Sequence, residues 1–133
     1  MNDADRLEEI NEVIWRLSQK AIDHVILVEG HKDVAALRSI GIEGDICCVQ
    51  VVGGAVRAAE YVWKSDKKAV ILTDWDRRGG ILAHELRDNL GSLGVEYDDE
   101  IRGDLAFLTR PFAKDVESLD SVLALLSKRS DKS

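Results

Sequence analysis

Acidic residues occur at two points of this chain where apolar runs end. Glu29 follows the run 24–28, and Asp74 and Asp76 follow a later run with one residue between them. If these runs are parallel strands, their carboxyl ends meet at one edge of a sheet, where open α/β sheets bind ligands. Three carboxylates in one place repel each other and lose hydration, a cost that a hard divalent cation such as Mg²⁺ relieves. The pattern therefore predicts metal-assisted phosphoryl chemistry at this edge.

Glycines and basic residues accompany the acids and extend the prediction to phosphate. A Gly-Gly pair at 53–54 follows another apolar run, and glycine lets a phosphate approach the backbone N–H groups closely. Two arginines directly follow Asp76, where guanidinium groups could neutralise phosphate charge. Asp33 also suits the first turn of a helix and Asp115 a helix N-cap. The candidate phosphate-contacting residues are Gly30, Lys32, Asp33, Gly53, Gly54, Arg77, Arg78, Lys114 and Asp115.

Continuous apolar runs alternate with segments of helical spacing along the chain. The runs predict strands near residues 24–28, 46–52, 69–73 and 105–108. The helical spacing predicts helices near residues 3–20, 31–40, 55–64, 80–92 and 116–127. Residues 94–104 fit either a short strand or an acidic loop. This alternation indicates one α/β domain of Rossmann-like type, with a mainly parallel open sheet and helices on both faces.

Some side chains can be given an orientation from the same pattern. Asp3 is expected to cap the first helix. Val56, Ala59 and Trp63 are expected to form the inward side of the helix at 55–64. Trp75 either stacks on a base or shields the acidic site from water. The polar tail 127–133 is expected to be frayed.

Two segments resemble the signature motifs of the Toprim (topoisomerase-primase) domain family. Residues 28–37 (VEGHKDVAAL) and 73–79 (TDWDRRG) pair a strand ending in Glu-Gly with a strand ending in Asp-x-Asp and a nearby glycine. The Gly-Gly pair at 53–54 matches the intervening glycine turn. Residues 112–117 are similar to the Gly-Lys-Asp segment of primase-type members, with Ala113 in place of the glycine. The resemblance spans residues 22–120 and indicates a small stand-alone protein, primase-like or maturation-nuclease-like.

The resemblance implies how the chain and its chemistry are divided. It places a Toprim domain at 22–120, with an N-terminal helix (1–21) packed on it and a C-terminal helix end and polar tail at 121–133. In the family, the residue matching Glu29 acts as general acid/base or helps to hold metal, and those matching Asp74 and Asp76 coordinate Mg²⁺. Mn²⁺ is a possible substitute. The reactions are cleavage, joining or synthesis of phosphodiester bonds in RNA or DNA.

Three functions remain open on this evidence. The first is nuclease-like or primase-like nucleotidyl transfer or hydrolysis on nucleic acid. The second is a non-catalytic, metal-assisted RNA- or DNA-binding accessory module that docks on a larger nucleic-acid-processing partner. The third is nucleotide hydrolysis or transfer on a small molecule. A P-loop enzyme is excluded because the chain has no GxxxxGK[ST] segment.

Composition limits the partners and the setting. With 18 Lys+Arg against 25 Asp+Glu and a net charge of -7, broad electrostatic binding to a polyanion is disfavoured. A nucleic-acid site must then be a local basic patch or must recruit cations. No apolar run approaches the ~20 residues of a membrane span, so a cytoplasmic protein without a membrane partner is expected. Cys47 and Cys48 lie side by side in an apolar run and are expected to be reduced core residues.

Overall fold

The computed structural model describes residues 1–131, and the last two residues of the predicted polar tail lie outside this range. Within it, strands and helices alternate through most of the chain, and two pairs of helices follow one another without a strand between them. The strands are β1 (His24–Val28), β2 (Ile46–Cys48), β3 (Lys68–Ile71) and β4 (Tyr97–Asp98). The helices are α1 (Asp3–Lys20), α2 (His31–Ser39), α3 (Val49–Val52), α4 (Ala55–Ser65), α5 (Arg77–Ser92), α6 (Glu100–Thr109) and α7 (Leu119–Asp131). The predicted α/β class is confirmed.

The four strands form one parallel sheet in the order β2-β1-β3-β4. Central strand β1 pairs with β2 on one side, where Ile26 lies opposite Ile46. It pairs with β3 on the other side, where Val25 lies opposite Ala69. The chain thus leaves β1 in one direction for β2 and returns past it for β3. Such a reversal of strand order creates a crevice at the carboxyl ends of the strands, here those of β1 and β3.

Alternate residues of β1 divide the core into two layers. Ile26 and Val28 pack with apolar side chains of α1, α2, α6 and α7 on one face. Val25 and Leu27 pack with those of α4 and α5 on the other. All four are fully buried, as expected for the middle strand of a parallel sheet covered on both faces. This double cover fixes the end of β1, from which Glu29 emerges.

The predicted strand at 46–52 is wrong beyond Cys48, where the chain turns into the short helix α3. The last residue of β1, Val28, pairs with Cys48, so no neighbouring strand is left to bond the residues that follow. The N–H of Gln50 still donates to the Glu29 carbonyl over 3.2 Å, and the chain then bonds locally, with the Gly54 N–H donating to the Val49 carbonyl over 2.9 Å. Gly53 ends α3 with φ of 103°, a conformation that favours glycine.

The predicted strand at 105–108 is also wrong, because this segment lies inside α6. Ile101, Leu105 and Leu108 are buried and recur at helical spacing, whereas Phe107 is 65% exposed. The fourth strand is β4. It lies in the segment 94–104, for which the sequence allows either a short strand or an acidic loop. The side chain of Asp98 at its end accepts the N–H of Ile101 and so begins α6.

Three details of the helices differ from expectation. Asn2, not Asp3, caps α1, and its side chain accepts the N–H of Asp5 over 2.8 Å. Val56 and Trp63 of α4 are each 56% exposed, because the inward side of this helix is formed by smaller residues. That buried side consists of Ala58, Ala59 and Val62. The first part of the polar tail continues α7 as far as Asp131.

In residues 1–131, no helix combines the length and apolarity required to cross a membrane.

Candidate functional site

A polar cleft of about 350 Å³ lies at the carboxyl ends of β1 and β3. Its walls come from the ends of these strands, the first turns of α2 and α5, helix α3 and the turn before α7. The lining residues are Glu29, Gly30, His31, Lys32, Asp33, Gln50, Asp74, Asp76, Arg78 and Glu117. The cleft therefore brings together all the acids that the sequence predicts as metal ligands.

Glu29 links the two strand ends. It follows β1, and its Oε2 accepts the backbone N–H of Asp74 over 2.8 Å. Its carbonyl oxygen accepts the N–H of Gln50 over 3.2 Å, which also ties the start of α3 to β1. Glu29 is half-buried and lines the cleft, so the hydrogen bond from Asp74 holds its carboxylate at the cleft wall.

Asp74 is the most strongly perturbed acid of the cleft. Its Oδ1 accepts the N–H of Val116 over 3.0 Å. Burial, together with the nearby charges of Asp33 and Glu29, raises the pKa of Asp74 to about 7, although the hydrogen bond from Val116 acts in the opposite direction. Negative charge is therefore costly here without a compensating cation.

Asp76 stands at the N-cap of α5, exposed beside the cleft. Its Oδ1 accepts the N–H of Gly79 over 2.7 Å, and the hydroxyl of Thr73 donates to the Gly79 carbonyl over 2.7 Å. A Cβ on Gly79 would overlap the carbonyl oxygen of Asp74. The Asp-x-Asp turn thus folds tightly onto the first turn of α5, and only glycine fits at position 79.

Asp33 lies in the first turn of α2, where the sequence predicts that a negative charge stabilises the start of a helix. It is buried, and its Oδ2 accepts the N–H of Gly30 over 3.0 Å. Burial raises the pKa of Asp33, partly offset by this hydrogen bond and reinforced by the charge of Glu29. Asp33 therefore braces the Glu29-Gly30 turn and adds a further acid to the cleft.

The basic candidates divide into two groups. Arg78 and Lys32 line the cleft, and the Lys32 Nζ lies 3.9 Å from Glu117 Oε1 at its mouth. Arg77 and Lys114 are exposed and lie outside the lining. Only the first group is placed to meet a phosphate inside the cleft.

The Gly-Gly pair and Asp115 also lie outside the lining. Gly53 and Gly54 connect α3 to α4 with φ of 103° and 114°. Asp115 Oδ1 accepts the N–H of Ser118 over 2.9 Å in the turn that leads into α7. These residues shape the connections around the site rather than its surface.

Trp75, between the two acids, is anchored in the protein. Its indole Nε1 donates to the Ala113 carbonyl over 2.9 Å, and its backbone N–H donates to the Lys114 carbonyl over 2.9 Å. The ring is half-buried against the core layer that contains α1 and α7. Trp75 does not line the cleft, and its contacts give it an anchoring and packing role beside the site.

Sequence reasoning missed four residues around the cleft. Gln50, His31 and Glu117 line it, and Arg102 lies behind it, with its Nε 2.9 Å from the Thr73 carbonyl oxygen. The position of Gln50 depends on β2 ending at Cys48, and that of Arg102 on α6 being a helix. The pattern of apolar runs alone indicates neither the end of β2 at Cys48 nor the helical conformation of α6.

The donor set of the cleft fits Mg²⁺ better than softer ions. Its acids offer only carboxylate oxygens, the ligands that Mg²⁺ prefers. Within residues 1–131, no three Asp, Glu, His or Cys side chains converge as a ready set of ligands. Because Mg²⁺ keeps several waters and needs only one or two carboxylates, such a complete set is not required.

Comparisons with known proteins agree with the α/β fold and with the resemblance of the two sequence motifs. The Toprim domain family matches residues 23–98. A UPF0292 protein of Methanosarcina acetivorans is 35% identical over 126 residues, covering 94% of this chain and 87% of the relative. A UPF0292 protein of Methanosarcina barkeri is 38% identical, covering 91% and 85%. A solved structure, a putative protein from Aquifex aeolicus, superposes with a TM-score of 0.69 at 24% identity, over 82% of this chain and 96% of that one. This last likeness shows the fold alone.

Proposed function

Because this chain belongs to the Toprim domain family and is a relative of the UPF0292 proteins, we propose that it carries out Mg²⁺-dependent phosphodiester chemistry on nucleic acid. The family connects the chain with metal-dependent function on nucleic acid in general. The proposal goes further in assigning bond cleavage or nucleotidyl transfer to the cleft. It assigns metal binding to Asp74, Asp76 and Glu29, with Mn²⁺ as a substitute ion.

One observation carries the proposal: the carboxylate of Glu29 reaches the backbone of Asp74 over 2.8 Å from a different strand. Two acids separated by 45 positions in the chain thus meet in one cleft, and Asp76 lines the same space. Negative charge is costly at this place, because burial and the nearby charges of Asp33 and Glu29 raise the pKa of Asp74. The convergence of the acids supports a site built to gather negative charge around a cation.

Each residue has a distinct task in the proposed reaction. Asp74 and Asp76 would hold the ion, which supplies Lewis-acid polarisation of a phosphoryl oxygen and acidifies a bound water. Glu29, tied to the Asp74 backbone, either completes the ligand set or accepts a proton from the attacking water or hydroxyl. Arg78 and Lys32 line the same cleft and offset the charge of the phosphate.

The test uses purified protein with labelled single- and double-stranded RNA and DNA in Mg²⁺, Mn²⁺ or EDTA. We expect metal-dependent cleavage or extension of one of these substrates, lost in Asp76→Asn. Asparagine caps a helix about as well as aspartate, so this variant should keep α5 and the fold. Circular dichroism checks that expectation.

A matched control separates loss of the site from loss of one negative charge. Asp88→Asn makes the same change on α5, at a position outside the cleft lining. It should keep wild-type turnover and metal affinity. Turnover by Asp76→Asn equal to that of the wild type would overturn the assignment.

A binding module without catalysis is the second candidate. Four acids of the site each accept a backbone N–H with one carboxylate oxygen, which is then less available to bind a metal ion. They are Glu29, Asp33, Asp74 and Asp76. A metal held in this way could bridge to a phosphate without promoting attack on it. Metal-dependent retention of one nucleic acid with no product, weakened in Asp76→Asn, would favour this function over the first.

A further inference from the structure

We infer that Arg102 is a positioning residue for the metal-binding turn, and that the segment beyond the Toprim match is part of the site. The match ends at residue 98, before α6 begins. Arg102 lies on α6 and contacts the backbone of the turn rather than the cleft. The inference rests on the proposed function, since it concerns how Asp74 is presented to a cation.

The guanidinium of Arg102 bonds two successive carbonyl groups of the turn. Its Nε donates to the carbonyl of Thr73 over 2.9 Å, and its Nη2 donates to that of Asp74 over 2.6 Å. These carbonyls follow β3, where the chain leaves the sheet and has no strand partner. The planar fork of arginine bonds both at once and fixes their relative orientation, which a single donor would not do.

The following segment holds the same turn from a second direction. The N–H of Val116 donates to the Asp74 carboxylate, and the carbonyls of Lys114 and Ala113 accept the backbone and indole N–H groups of Trp75. Together with Arg102, these contacts bind backbone and side chain on both sides of the Asp74 carboxylate. Residues beyond the family match therefore help to set the orientation of that carboxylate, together with Glu29, which accepts the Asp74 N–H.

The charge of Arg102 suits this place. It is partly buried, and arginine remains charged in proteins. Burial and the neighbouring charge of Arg87 lower the pKa of Arg102, and the charges of Glu29 and Asp74 act in the opposite direction. A permanent cation behind the turn offsets part of the repulsion among the carboxylates while leaving the cleft side open to a metal ion and a phosphate.

The experiment compares Arg102→Ala and Arg102→Lys with the wild type by two independent measurements. Mn²⁺ binding is measured by titration, and amide hydrogen exchange is measured by NMR at Asp74, Trp75 and, as a reference in the sheet, Leu72. Arg16→Ala is the matched control, because Arg16 pairs with Asp104 of the same helix α6 and not with the turn. Its Mn²⁺ affinity and its exchange at Asp74 should equal those of the wild type.

Arg102→Ala should weaken Mn²⁺ binding about 10- to 100-fold, the usual effect of removing a residue that orients a ligand. It should also speed exchange at Asp74 and Trp75 while leaving Leu72 protected. Arg102→Lys keeps the charge without the fork and should give an intermediate affinity. A merely structural role would raise exchange at all three amides together.

Wild-type Mn²⁺ affinity and wild-type exchange at Asp74 in Arg102→Ala would overturn the inference. If Arg102→Ala does not fold, the Mn²⁺ affinity of Arg102→Lys decides the question. Wild-type affinity in Arg102→Lys would count against a role for the two simultaneous hydrogen bonds of the guanidinium group. If the wild-type protein does not bind Mn²⁺, the proposed function fails, while exchange at Asp74 and Trp75 still decides whether Arg102 positions the turn.

Discussion

Asp74 is the residue on which the contacts of the site converge. Its amide donates to Glu29, its carboxylate accepts from Val116 and its carbonyl accepts from Arg102. The meeting of Glu29 and Asp74 could be predicted, because both follow apolar runs of parallel-strand type. The partners from the last third of the chain could not, because a backbone N–H leaves no pattern in the sequence and Arg102 lies in the segment 94–104, for which both a strand and a loop were possible.

The raised pKa of Asp74 predicts how the stability of the metal-free protein depends on pH. The ordinary pKa of 3.8 applies to the unfolded chain, whereas the folded value is about 7. Between these values the folded state holds the proton more tightly, so this residue's contribution to the free energy of unfolding falls as pH rises from about 4 to about 7. Above pH 7 both states are ionised and the contribution levels off.

Urea unfolding in EDTA at several pH values between 4 and 8 measures this effect. Asp74→Asn cannot ionise, so its free energy of unfolding should fall less steeply over the same window. Saturating Mg²⁺ should also restore stability to the wild type at pH 7 by binding only the folded state. Equal slopes for variant and wild type would show that Asp74 titrates normally.

At the scale of elements, the sequence predicts most helices and the central strand but misplaces the edges of the sheet. β1 has the predicted bounds, because a buried middle strand is apolar along its whole length. β2 stops early because its partner ends, which local patterns do not encode. The run 105–108 is predicted as a strand but lies in a helix, since a short apolar run fits either a strand or a buried helix, and only its tertiary packing decides between them.

The junction of β3 and α5 leads to a prediction about Gly79. A methyl group there would overlap the Asp74 carbonyl oxygen, which is itself bonded by Arg102. Gly79→Ala should therefore displace the Asp-x-Asp turn, lower the free energy of unfolding by at least about 2 kcal/mol and weaken metal binding. Chemical denaturation and Mn²⁺ titration measure the two effects.

Gly80→Ala is the matched control on the same helix turn. The nearest atom to a Cβ at Gly80 is Arg102 Nη2 at 4.0 Å, which is ordinary contact. Alanine should be neutral or stabilise α5 by up to about 1 kcal/mol, because glycine is a poor helix former. Similar destabilisation by both substitutions would contradict a steric requirement specific to position 79.

At the scale of the whole molecule, helices from both ends of the chain cover one face of the sheet. α1 packs against α6 and α7, and Arg129 of α7 pairs with Asp3 of α1 over 2.9 Å. The guanidinium groups of Arg6 and Arg129 both lie over the Phe112 ring, at 5.6 and 5.7 Å from its centroid. This layer supports the segment that holds the Asp74 turn.

The layer predicts a large effect for a truncation in α1. Leu17 is fully buried against this face. Leu17→Ala should lower the free energy of unfolding by about 2 to 5 kcal/mol, because it leaves a cavity in a packed core. Trp15→Ala removes a larger side chain that is 61% exposed, and it should change stability by no more than about 0.5 kcal/mol. Thermal or urea denaturation distinguishes the two, and equal losses would contradict the assigned core.

The contacts that complete the site span 45 positions from Glu29 to Asp74 and 42 positions from Asp74 to Val116. Contacts between distant parts of a chain close late in folding, because the entropy of the intervening loop opposes them. During synthesis, the ribosome would release all three proposed ligands before Val116 emerges. We therefore expect that a nascent chain cannot hold the Asp74 carboxylate in its final orientation until Val116 has emerged, so that metal binding becomes possible only late in the folding of this domain.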